Sequence, residues 1–183
     1  MKAPLLFVGG TIATSRLDLE ALAIDHAPRM FEGFADLRLY EWVDAVPPAD
    51  VSELVGRFAG VVNPYQREGE LWINWAIVRR EDAAAVGVVE VTLRADRIAY
   101  LACYVFPRHT REGFAREACA AAIEHLWRAY DAQEVRIEMD YRNVPARCLA
   151  ESLGFVRRRH VKRGTLRGRP AVGYGYRLRR PGA

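Results

Sequence analysis

Three β-rich runs, residues 71–78, 86–93 and 98–106, follow one another across the short charged turns Arg79-Arg80-Glu81-Asp82 and Arg94-Ala95-Asp96-Arg97. Connections that short join neighbouring antiparallel strands, because a parallel return needs a crossover of about a dozen residues or more. The next stretch supplies such a crossover. Between about 112 and 130, Ala115, Ala118, Cys119, Ala122, Ile123, Leu126, Trp127 and Tyr130 recur at helical spacing, and strand character resumes over 135–140. One parallel pair inside a largely antiparallel sheet follows.

The flanks extend this frame. Residues 16–24 begin by alternating, as a half-buried strand does. Asp25 reads as the N-cap of a short helix with Met30, Phe31 and Phe34 on one side. After the break at Pro47-Pro48, Asp50 or Ser52 starts a second helix carrying Leu54, Val55, Phe58, Val61 and Val62. A fourth helix over 143–153 closes at Gly154, and 155–162 pairs with 172–179 as a hairpin across 164–170. The order β-α-α-β-β-β-α-β-α-β-β defines an α+β fold, a mixed, mostly antiparallel sheet flanked by helices.

At 183 residues, 51% hydrophobic and 27% charged, the chain reads as a single domain over 1–183 with residues 1–11 as a lead-in. The apolar start, Met1 to Gly10, is too short and Pro-broken for a signal peptide, and no run is long enough to span a membrane. Cys103, Cys119 and Cys148 cannot all pair and form no Cys-x-x-Cys, so buried free thiols and a cytoplasmic setting are expected. His26, His109, His125 and His160 lack metal-ligand spacing, so no metal site is expected. Arginines crowd the end, from Arg157 to Arg180. That basic end reads as a solvated strand pair, or as a surface for RNA or another polyanion; without interleaved aromatics, nucleic acid is the weaker reading.

The richest segment is 105–115, Val-Phe-Pro-Arg-His-Thr-Arg-Glu-Gly-Phe-Ala. A strand runs through a proline into a basic, glycine-bearing turn and then a long helix. Unpaired N–H groups at a positive helix terminus make a site for phosphate oxygens, and Gly113 lets a ligand approach the backbone.

That element order, with Val105-x-Pro107-x-x-Thr110-Arg111-x-Gly113-x-Ala115, resembles the GNAT superfamily of acetyl-CoA-dependent N-acetyltransferases, whose signature there is Gln/Arg-x-x-Gly-x-Gly/Ala. Gly113 and Ala115 match; Thr110 departs from Gln or Arg. A second block, 140–147 with Leu153-Gly154-Phe155, resembles the family's Asn-bearing strand and helix, and with 113–118 it points to the branch that acetylates ribosomal-protein N-terminal alanines. The resemblance spans roughly 12–180.

The resemblance implies that Thr110, Arg111, Glu112, Gly113, Phe114, Ala115 and Arg116 hold the pyrophosphate, with Arg108 adding positive charge. Backbone of 104–106, including Val105 and Phe106, and the amide of Asn143 would bind the pantetheine arm. Asn143 also reads as a helix N-cap. The Val105 N–H would polarise the thioester carbonyl, where charge develops in the transition state. Partners are then acetyl-CoA and an amine acceptor, with a homodimer left open.

Acetyl transfer needs a neutral amine. An α-amine with pKa near 8 is about one-tenth neutral at pH 7, and a lysine near 10.4 is some hundredfold worse off. Glu90, Glu138 and Asp140 are the strand acids, read here as solvated or paired with Arg136 or Arg142. The serine and tyrosine acids of family members are absent, with Ala146 and Ala150 in their places, and Tyr104 is the nearest hydroxyl. Trp42, Trp72 and Trp75, with Phe34, Tyr40 and the acids Asp36, Glu41 and Asp44, mark where an acceptor would enter. The alternative is a non-catalytic module binding acyl-CoA or RNA.

Overall fold

The computed structural model describes residues 6, 7, 10–65 and 67–182, excluding the side chains of 160–162. Most of the lead-in therefore lies outside the described residues. Among those described, eight strands form one sheet in the order β1-β2-β3-β4-β5-β6-β8-β7. These are β1 (Ile12–Ala13), β2 (Leu17–Ala21), β3 (Glu70–Arg79), β4 (Ala85–Arg94), β5 (Ile98–Val105), β6 (Glu134–Asp140), β7 (Val156–Leu166) and β8 (Arg169–Arg179). The helices are α1 (Ala27–Ala35), α2 (Val51–Ala59), α3 (Phe114–Tyr130) and α4 (Val144–Ser152).

The meander β3–β4–β5 is antiparallel throughout. The crossover through α3 gives one parallel pair, and it is brief: only Ile98, Ala99 and Tyr100 face Glu134, Val135 and Arg136. Beyond Tyr100 the two strands part, leaving the β6-facing edge of β5 without a strand neighbour.

Alternation along the strands divides the apolar residues between two faces. Leu71, Ile73, Trp75 and Ile77 of β3 pack with Phe114, Cys119, Ile123 and Leu126 of α3 in the larger core. Ala76 and Val78 pack with Met30 of α1 and with Leu54 and Phe58 of α2 in a smaller one. A register shift between Ile77 and Val78 sets Ala85 opposite Val78 and Gly87 opposite Ile77, giving β4 an extra residue. Gly87 sits where β5 crosses closely: a Cβ there would lie 2.2 Å from the Tyr104 carbonyl oxygen. At the end of β5, Phe106 is fully buried against α1, and a Cβ on Gly33 would fall 2.3 Å from its ring.

Several boundaries differ from the sequence reading. Asp25 does not cap α1; it lies in a 3₁₀ turn, and His26 precedes the helix without a side-chain cap bond. Asp50 caps α2, its carboxylate accepting from the Glu53 N–H at 2.8 Å, and Val61 and Val62 fall beyond the helix. α3 starts at Phe114 rather than 112, because Arg111 (φ +71°) and Gly113 (φ +82°) take left-handed conformations. The final hairpin is tighter than expected, turning at Arg167-Gly168. All three cysteines are free, but Cys148 is exposed, because it falls on the outer side of α4.

Candidate active site

The mouth of α3 is built by a clamp from the other end of the chain. Arg16, in the β1–β2 turn, donates from Nη1 to the Glu112 carbonyl (2.9 Å) and from Nε to Glu117 Oε2 (2.7 Å). Its guanidinium lies 4.8 Å over the Phe114 ring. Glu117 also accepts from Thr14 Oγ1 (2.7 Å), Ser15 Oγ (3.0 Å) and the Arg16 N–H (2.9 Å). Burial alone would raise the Glu117 pKa, but these bonds outweigh it and hold the carboxyl at about 2. The loop is thus fixed before any ligand arrives.

Within it, Thr110 Oγ1 donates to the Pro107 carbonyl at 3.0 Å, so its hydroxyl closes the preceding turn. Among the described residues, no acceptor meets the backbone N–H groups of 111–116. Left-handed residues bracketing a helix start aim successive amides into one concavity, an arrangement suited to anions. Arg108 pairs with Glu32 at 2.8 Å, whereas Arg111 and Arg116 have no ion pair among the described residues. Donors without acceptors, beside two uncommitted guanidinium groups, fit the diphosphate of a coenzyme A.

The second component lies where β5 and β6 part. The Phe106 N–H is taken by the Val86 carbonyl of β4 (2.8 Å). Donors alternate along a strand, so the Val105 N–H points the other way, toward the gap left by β6. Phe106 itself, bonded through its N–H and, at its carbonyl, to the His109 N–H (2.8 Å), anchors the strand end and offers the gap no donor. Asn143 precedes α4, its Oδ1 accepting from the Ala146 N–H at 3.1 Å. The capping role is therefore present, and its Nδ2 carries no bond among the described residues.

On the α1–α2 face, two cavities meet at the parting. One, of about 320 Å³, is lined by Tyr100, Leu101 and Ala102 of β5, Arg136 and Glu138 of β6, and Trp72, Asn74 and Thr92. The other, of about 240 Å³, lies under α1 and α2 and includes Phe34, Tyr40, Val88 and Tyr104. Glu90 and Val61 line both. Burial pushes the Glu90 carboxyl above its ordinary pKa, and the carboxylate has no hydrogen-bond or ion-pair partner among the described residues. Burial, then the charges of Glu90 and Cys103, pushes the Tyr104 hydroxyl up to about 12.

The structure separates residues that the sequence placed together. Trp72 lines the groove and donates from Nε1 to Glu70 (3.3 Å). Trp75, three residues on, faces the opposite side: it is 2% exposed in the α3 core, edge-on to His125. Trp42 lines a different cavity, with Arg142 after β6 and with Arg167 and Arg169 at the hairpin tip. Asp140 pairs with Arg142 at 2.8 Å as expected. Glu90 is half-buried in the groove and pairs with neither Arg136 nor Arg142, and it is the functional candidate that sequence reasoning passed over. Its signal was a single acid in the otherwise apolar run Val88-Val89-Glu90-Val91. The described residues hold no cluster suited to a metal ion and no helix long and apolar enough to cross a membrane.

Among solved structures, RimL, a ribosomal L7/L12 alpha-N-protein acetyltransferase in complex with coenzyme A, superposes with a TM-score of 0.83 at 17% identity, over 93% of this chain and 98% of its own. A GCN5-related N-acetyltransferase from Brucella melitensis gives 0.79 at 17% identity, over 93% and 78%. A GNAT-family acetyltransferase from Bacillus anthracis gives 0.77 at 14%, over 93% and 98%. At such identities the likeness is one of fold, that of acyl-CoA N-acyltransferases. No curated protein matches the sequence. Residues 16–156 match the acetyltransferase (GNAT) domain, and the chain belongs to that family of acetyl-CoA-dependent N-acetyltransferases. Acetyl-CoA is the family's co-substrate.

Proposed function

We propose that this chain transfers acetyl from acetyl-CoA directly to a primary amine, both substrates being bound at once. The observation that carries the reading is that β5, its edge free of β6 beyond Tyr100, runs from Ala102, opposite Glu90, into the turn that leads to the unpartnered amides of 111–116. Amides of 111–116, with Arg111 and Arg116, hold the pyrophosphate. The pantetheine arm lies in the gap between β5 and β6, beside Asn143, and its thioester reaches the cavity at the parting.

The amine lone pair attacks the thioester carbonyl carbon, the C–S bond breaks, and coenzyme A leaves as a thiolate that takes up a proton. The Val105 N–H faces the oxygen on which negative charge grows. Glu90 takes the ammonium proton, directly or through one water; its raised pKa brings it nearer the amine's and makes it a better-matched base than an exposed carboxylate. Tyr104 stays protonated at any working pH and can donate to the departing sulfur.

Direct transfer is favoured over a covalent acyl-enzyme by the state of the nearest thiol. A hydrogen bond with Cys119, then burial, pushes the Cys103 pKa up, so it supplies no thiolate. The test is a thiol-release assay across primary amines. Steady coenzyme A release that depends on the acceptor supports the reading, and cofactor binding without turnover on any amine refutes it.

A further inference from the structure

The cavity beneath α1 and α2 has an unusual division of labour. Its walls are apolar, formed by Leu22, Phe34, Leu54, Phe58 and Val88. The polar groups that reach it from the 3₁₀ turn after α1 (Leu37–Tyr40) and from α2 are already committed. Tyr40 donates its hydroxyl to the Phe34 carbonyl at 2.8 Å. Arg57 is held by Glu53, by the Val46 carbonyl (2.7 Å) and by the Pro47 carbonyl (3.3 Å). That leaves Glu90 and Tyr104, at the end adjoining the thioester cavity, as the polar groups without partners among the described residues.

From this we infer the class of acceptor: a primary amine carrying a bulky apolar group, aromatic or branched aliphatic, on the carbon bearing the nitrogen or the next one. The inference rests on the acetyl-transfer reading above. The amine sits at Glu90 and the apolar group fills the roughly 240 Å³ beyond it. One carboxylate meets one ammonium. A polyamine or aminoglycoside would bring several further cations into a chamber whose only other charged lining residue among those described is Arg57, at a desolvation cost no wall group offsets. A lysine would place a flexible methylene chain there and gain less for the ordering it needs. An alanine or serine N-terminus would leave the space unfilled. The same chemistry occurs in arylalkylamines, amino-acid amides and peptide N-termini with a hydrophobic first residue.

The experiment compares kcat/KM on the full-length protein for phenethylamine, phenylalanine amide, leucine amide, alanine amide, Nα-acetyl-lysine amide and spermidine, with a Phe-initiated tetrapeptide as a further arm. Apolar amines should exceed alanine amide at least tenfold, since each buried methylene in a snug pocket is worth several-fold. The tetrapeptide against phenylalanine amide separates a protein N-terminus from a small-molecule source. Ala45 lies on the exposed rim of this cavity, so Ala45→Phe narrows it without touching the core. That variant should bring the phenylalanine-to-alanine ratio down toward one while acetyl-CoA affinity by calorimetry stays put. A ratio near one in the unaltered protein, or a preference for lysine or spermidine, overturns the inference and leaves acetyl transfer standing. Bound acetyl-CoA with no turnover on any amine overturns the acetyl-transfer reading instead.

Discussion

Gly113 and Glu90 show how unevenly single residues announce themselves. Gly113 was legible because a glycine between a basic turn and an alanine-rich helix has a backbone reason to be there, and its φ of +82° supplies it. A Gly113→Val substitution places a β-branched side chain in a left-handed conformation, its Cβ 3.4 Å from the Arg16 guanidinium. The fold is expected to lose about 1–3 kcal/mol, read by urea unfolding, and acetyl-CoA affinity at least tenfold, read by calorimetry. Unchanged affinity would remove the pyrophosphate from this mouth. Glu90 stayed hidden because only the groove, assembled from four strands and two helices, shows that its half-buried carboxylate has no protein partner among the described residues. Its raised pKa has two opposite consequences. A carboxyl whose folded pKa exceeds its unfolded one adds stability below the unfolded value and loses it as pH rises through the folded one, so ionised Glu90 weakens the fold at neutral pH. Glu90→Gln is therefore expected to raise the melting temperature by about 2–4 °C for each kcal/mol relieved, while kcat falls by roughly 10²–10⁴ and one titrating group leaves the acid limb of the rate profile. A variant both less stable and fully active would contradict the assignment.

At the scale of elements, what short-range pattern determines was readable. The meander, the crossover and the helix stripe depend on turn length and on periods of two and 3.6, and all three stand. Placement of Trp75 was not readable in the same way, because the face of a strand depends on which layer covers which side, and the two cores claim alternate residues. The cap of α1 was missed for a related reason: a 3₁₀ turn intervenes, and His26 Nδ1 accepts the Ala23 N–H (3.0 Å) in place of an aspartate. Nor does any local pattern join the β1–β2 turn to α3 across about a hundred residues. Four donors there hold Glu117 ionised, its pKa near 2 against an ordinary 4.5. A depressed carboxyl stabilises fully above its unfolded pKa and ceases to do so as pH falls toward the folded one. The clamp should thus contribute about 1–2 kcal/mol at neutral pH, less than the whole shift because solvent screens the half-exposed Arg16, and fade between pH 4.5 and 2. Urea unfolding of wild type and Glu117→Gln at pH 7 and pH 3 checks this: the gap between them should be wide at pH 7 and smaller at pH 3. A gap indifferent to pH would mean that packing, not charge, joins the two elements.

Taken whole, the molecule is an asymmetric sandwich about its sheet. The α3 side carries the larger core, with Leu17, Leu19, Ile77, Leu93 and Leu126 all sealed from solvent. The α1–α2 side has a smaller core, two nine-residue helices, and the cavity of about 240 Å³ lying between them and the strands. Less apolar area buried and more unfilled space mean a smaller free energy to open that layer alone. The proposed function runs the same way: a cofactor mouth must be rigid to offer aimed amides, whereas the proposed acceptor would enter and its product leave over α1 and α2. Native-state hydrogen exchange should therefore show α1 and α2 exchanging through an opening that spares β3, β4 and α3, the last exchanging only with global unfolding. Acetyl-CoA should protect the amides of 111–116 and the free edge of β5 while leaving α1 and α2 nearly as before. An apolar amine added with coenzyme A should then slow α1 and α2. Equal protection across both layers in the free protein would mean that the sheet and its two coverings open as one unit, and that acceptor access needs no movement of the smaller layer.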